Sequence, residues 1–114
     1  MTPRQQNILK ILEDFLSVKD SDKILMTYTE LCEIYEKRHG EKIPPFAKWF
    51  HDDLGKVSKH TLSNNGFAIT AVVVNSEKLF PGYDFFPIFS GTTNPRLIAT
   101  IWTAELSKIV AFYK

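Results

Sequence analysis

An α+β fold is predicted by two features of the chain: a stretch that reads as sheet, Phe67 to Phe86, and helical apolar periodicity in the segments on either side of it. Ala68 to Val74 is a short apolar run ending in three valines. It lies between Asn64-Asn65-Gly66 and Asn75-Ser76-Glu77-Lys78, the pattern of a largely buried strand between turns. Ile69, Thr70, Val72, Val73 and Val74 are β-branched and suit a pleated surface. Pro81-Gly82 favours a type II turn, because Pro presets φ and Gly supplies the positive φ that follows. Tyr83, Phe85 and Phe86 then give a second, aromatic strand closed by Pro87. The expected product is an antiparallel hairpin whose tip carries Glu77, Lys78, Leu79 and Phe80.

The helices follow in order. Pro3 suits the first turn, and Ile8, Leu9, Ile11, Leu12, Phe15 and Leu16 recur at helical spacing, which predicts a first helix from Pro3 to about Val18. Lys19 to Lys23, KDSDK, breaks the pattern. Thr27 as N-cap with Glu30 three residues on makes a capping box, and Met26 with Leu31 makes a hydrophobic staple, so a second helix begins there. Leu31, Ile34 and Tyr35 form its inner face and Gly40 ends it. Pro44-Pro45 opens a third helix, Pro45 to about Leu62, with Phe46, Trp49, Phe50, Leu54 and Val57 on one face. Lys48, Asp52, Asp53, Lys56 and Lys59 lie elsewhere on it. Pro95 to Lys114 closes the chain as a helix with a broad apolar face. Three helices, a hairpin and a closing helix are the order of a winged helix, in which the third helix enters the major groove and the wing touches the backbone.

At 114 residues, 44% of them apolar, residues 1–114 fit one domain, which at this size buries roughly two thirds of its unfolded surface. The net charge of +1 gives no global electrostatic drive toward nucleic acid, membrane or acidic substrate. The single cysteine, Cys32, leaves no internal disulfide and fits a reducing cytosol, so a cytoplasmic location is expected. No apolar run of the length of a signal peptide or spanning helix occurs, and no membrane partner is expected.

Chemistry-bearing motifs are sparse. GxSxG, HExxH, P-loop and GxGxxG patterns are absent, so neither catalysis nor a cofactor is expected. Cys32 has no histidine one helical turn away and reads as a buried structural thiol. His51, Asp52 and Asp53 are adjacent on a helix, about 100° apart, and cannot close on one metal ion. Most aromatics read as core, with Phe80 at the hairpin tip a contact residue if exposed. Lys48, Lys56 and Lys59 on the third helix, with Lys78 on the hairpin, form the basic set that this fold could gather on one side. Ordinary solvated lysines would look the same, and Asp52 and Asp53 on the same helix weigh against DNA.

Two resemblances add to this. Lys23 to Leu31, KILMTYTEL, a helix ending in Leu54-Gly55, the strand Ile69 to Val74 and the Pro81-Gly82-Tyr83 segment together resemble the DNA-binding domain of alkylguanine-DNA alkyltransferases and the alkyltransferase-like proteins. Ile69 to Val74 stands where that family has its Pro-Cys-His-Arg segment, so the acceptor cysteine is missing. Lys48 is the basic residue nearest to the arginine that the family inserts into DNA. The resemblance therefore implies a DNA-binding fold without repair chemistry. Ala71 to Asn75, Pro81 to Phe86 and Trp102 to Tyr113 also resemble small uncharacterised bacterial and phage proteins, with Asp84 where that pattern has glycine. This second likeness implies a shared fold and a phage or mobile-element context.

The expected function is non-catalytic binding of duplex DNA, with Lys48, Lys56 and Lys59 on phosphates and Lys78 on the wing. The alternative is a protein-binding module, such as a phage-encoded inhibitor of a host defence nuclease, making protein–protein contact through Asp52 and Asp53 or through Phe80 and Tyr83. A homodimer through the closing helix is a further expectation, since Trp102, Ile109 and Phe112 exceed what one side needs.

Overall fold

A computed structural model of the chain describes residues 1–81 and 94–114, and among these it has four α-helices and a two-stranded parallel sheet. Their order is α1 (Pro3–Leu16), β1 (Met26–Thr27), α2 (Tyr28–His39), α3 (Lys48–Asn65), a 3-10 turn (Ile69–Val72), β2 (Val73–Val74) and α4 (Pro95–Tyr113). One buried cluster joins them: Ile8, Leu12 and Leu16 of α1, Leu31 and Tyr35 of α2, Phe50 and Val57 of α3, Ile69 and Val72 of the turn, and Ile109 of α4.

Local chemistry sets the helix ends. Thr2 caps α1 and exchanges hydrogen bonds with Gln5, each 3.1 Å long. The predicted Thr27–Glu30 box forms in the same way at the start of α2, at 3.0 and 3.1 Å. Gly40 ends α2 at φ 70°, a left-handed conformation that glycine adopts without steric cost, and its N–H donates to the Glu36 carbonyl.

Helix α3 begins at Lys48, not at Pro45, and runs on to Asn65. Pro44 to Ala47 forms a turn instead, closed by the Ala47 N–H on the Pro44 carbonyl at 3.1 Å. His51 braces that turn by donating from Nε2 to the Pro45 carbonyl at 2.9 Å, while its ring packs against Tyr28 and Phe50.

The sheet departs most from expectation. Ala68 to Val74 is not one strand of an antiparallel hairpin; Ile69–Val72 is a 3-10 turn, and only Val73 and Val74 are strand, paired in parallel with Met26 and Thr27. The expected second strand, Tyr83 to Phe86, lies outside the described residues. The physical reason lies in where its backbone donors go. Three consecutive buried N–H groups are claimed by side chains: Ala68 donates to Glu105 Oε1 (2.8 Å), Ile69 to Thr61 Oγ1 (3.0 Å) and Thr70 to Ser58 Oγ (3.1 Å). With these donors satisfied, no neighbouring strand is needed to bury this backbone, and β-branched residues then serve as packing volume. After β2 the chain does reverse, with Asn75 Oδ1 accepting from the Glu77 and Lys78 N–H groups and the Asn75 N–H donating to the Phe80 carbonyl.

No helix among the described residues is long and apolar enough to cross a membrane.

Candidate functional site

Helix α3 has two faces. Phe50, Asp53, Leu54, Val57, Ser58 and Thr61 are buried, whereas Lys48, Trp49, Asp52, Lys56, Lys59 and His60 are exposed. At 3.6 residues per turn, Lys48, Asp52, Lys56 and Lys59 fall within an arc of about 80°, and the span from Lys48 to Lys59 is roughly 16 Å. The helix thus gathers three of the four expected basic residues on one solvent-facing stripe with Asp52 among them. None of these four side chains makes an ion pair among the described residues; the pairs found there are Arg4–Asp53, Lys10–Asp14, Lys23–Glu30, Arg38–Asp14 and Lys108–Glu105. Lys78 is exposed on the turn after β2.

Asp53 corrects the expectation of a solvent-facing carboxylate. It is only 5% exposed and accepts from Arg4 Nε at 2.6 Å and from Gln5 Nε2 at 2.9 Å. The carboxylate beside it holds the Arg4 guanidinium above its ordinary pKa, chiefly through that hydrogen bond. Asp53 is therefore an anchor between α3 and α1, and it is not available to a protein partner.

Phe80 is likewise not a free tip. It is half-buried, its ring centroid 4.6 Å from that of Trp102. Trp102 in turn donates from Nε1 to the Ala71 carbonyl at 2.7 Å. Tyr83 lies outside the described residues. Of the α4 residues expected to spare apolar surface for a homodimer, Ile109 is fully buried and Trp102 half-buried, while Phe112 is exposed.

His51, Asp52 and Asp53 diverge, toward a backbone carbonyl, solvent and Arg4 respectively. No group of three His, Cys, Asp or Glu side chains among the described residues is placed to hold a metal ion. Cys32 is buried, and burial, with Glu33 adding to it, pushes its thiol up to about 12. Such a thiol carries almost no thiolate at neutral pH.

Two features were not foreseen. Phe46, expected on the apolar face of the third helix, is 82% exposed on the braced turn before α3, and Trp49 is 41% exposed with the Arg4 guanidinium 4.5 Å from its ring centroid. Glu105, buried to 2%, accepts from Ala68 and from Lys108 Nζ (3.1 Å); no local pattern marks it, because its partner is 37 residues away.

The chain matches no family model, no curated protein and no solved structure.

Proposed function

We propose that this chain binds duplex DNA without catalysis, as a winged-helix-like domain that presents the exposed stripe of α3 to the major groove. The observation that carries the reading is the stripe itself: Lys48, Lys56 and Lys59 exposed in one arc with no carboxylate partner among the described residues. Burial of Asp53 against Arg4 removes one of the two negative charges that weighed against DNA. The element order, with α3 as the third helix and a strand after it, supports the same reading, while the parallel pairing of β1 with β2 is not the antiparallel wing of that fold. Lys78, exposed on the turn after β2, adds a fourth backbone contact.

Phosphate contacts of this number give weak binding that falls steeply with salt. Fluorescence anisotropy of a labelled random-sequence duplex at low and near-physiological salt tests it. Saturable binding is expected, and Lys56→Ala and Lys59→Ala should each weaken it and lower the salt slope by about one. An absence of binding at low salt overturns the reading.

A second reading, a protein-binding module such as an inhibitor carried by a mobile element, is supported by Phe46. An aromatic side chain 82% exposed on a turn braced by His51 on the Pro45 carbonyl is a preorganised anchor. That reading requires a partner whose capture is lost with Phe46→Ala and is indifferent to Lys56→Ala.

A further inference from the structure

We infer that Asp52 makes α3 a reader of sequence: its carboxylate accepts from the exocyclic amino group of a cytosine in the major groove, while Lys48 and Lys56 hold the flanking phosphates. This rests on the duplex-DNA reading above and deepens it.

The geometry is that of a single acceptor centred among donors. Asp52 is exposed, four residues after Lys48 and four before Lys56, so each lysine lies on the same stripe about 6 Å away along the axis. Side chains at this spacing are neighbours, and carboxylate–lysine pairs commonly close there. Neither lysine lies within the 4.0 Å of a salt bridge to Asp52. The same helix has a means of hiding a carboxylate, which it applies one residue later, where Asp53 is turned inward and taken up by Arg4 and Gln5. Asp52 is not hidden.

On a surface that only contacts phosphates, such a carboxylate is a pure loss, since it repels what its neighbours attract. A carboxylate has no proton to give, so it suits only a groove position that offers donors. The cytosine N4 amino group is the base-edge donor that Asp and Glu accept from. Flanking lysines on the backbone set the register in which one base edge meets the acceptor. The negative charge that argues against non-specific binding is thereby what supplies discrimination.

The test is selection of bound sequences from a randomised duplex library with the wild-type chain, Asp52→Ala and Asp52→Asn, with anisotropy against a random duplex in parallel. The wild-type chain should enrich cytosine at one position, preferring it there by about 5- to 150-fold. Asp52→Ala should lose that preference and bind random duplex more tightly, because a charge that repels the phosphates is gone, and Asp52→Asn should move the preference toward adenine. If Asp52→Ala keeps the wild-type base preferences, or if the wild-type chain binds duplex with no base preference, the inference is overturned and the DNA reading stands. If the wild-type chain binds no duplex at low salt, both fall.

Discussion

Asp52 and Asp53 are adjacent on one helix and are put to opposite uses. Asp53 faces inward, buried, with a guanidinium and a carboxamide on its two oxygens. Asp52 faces outward, with no ion pair among the described residues. The same contrast runs along the whole of α3. Its inner polar residues, Asp53, Ser58 and Thr61, accept from specific donors in α1 and the 3-10 turn, whereas Lys48, Lys56 and Lys59 have no carboxylate partner among the described residues. Polarity alone therefore does not separate structure from interface; the presence of a buried partner does.

The inward set extends to α4 through Glu105, and there the largest effect is expected. Replacing Glu105 with Ala strands the buried Ala68 N–H and removes the partner of Lys108. A loss of about 3 kcal/mol in unfolding free energy should follow, read by urea denaturation, because an unsatisfied buried donor carries its full desolvation cost. Glu105→Gln retains an acceptor and should lose roughly half as much. A loss below about 1 kcal/mol for the alanine variant would mean that the turn is held by packing instead.

Next in size is the pair that opened the comparison. Asp53→Ala should cost about 2 kcal/mol, since Gln5 stays buried without its acceptor while the partly exposed Arg4 recovers water. Asp52→Ala should stay within about 0.5 kcal/mol, as for a surface position without partners. Equal losses in the two variants would break the distinction between inward and outward carboxylates.

How much of this the sequence disclosed depends on how far apart the partners lie. The Thr27–Glu30 box and the Gly40 cap are local, separated by a few residues, and both stand where they are predicted. The Thr2–Gln5 box carries the same kind of local signal, Thr-x-x-Gln, and is legible once Gln is admitted with Glu. The strand misleads because β-branched composition reports a fit to a packed surface and says nothing of which group takes the backbone N–H. Those acceptors, Ser58, Thr61 and Glu105, are 8 to 37 residues from their donors. The lysine stripe was legible from helical spacing. The fate of Asp53 was not, because it is decided by Gln5 and Arg4, 48 and 49 residues away.

The smallest effect sharpens a third case, an outward carboxylate that does have partners. Glu30 accepts from Lys23 Nζ at 3.1 Å and from the Thr27 N–H at 3.1 Å, and these, Lys23 first, hold its pKa below the ordinary 4.5. Asp14 is lowered likewise, by Lys10 and then Arg38. A carboxylate depressed in the folded state contributes stability that is fully present above its unfolded value and is lost as pH falls through its folded value. The unfolding midpoint should therefore be flat from neutral pH down to about 5 and fall below that, in the carboxylate range. Glu30→Gln keeps the capping geometry, which Gln also supports, but cannot titrate. It should flatten part of the acid limb while changing stability at neutral pH by less than about 0.5 kcal/mol, because the Lys23 pair is exposed and screened. Added salt should shrink the difference between the two proteins. An acid limb identical in both would place the loss of stability in other carboxylates and leave Glu30 with a capping role alone.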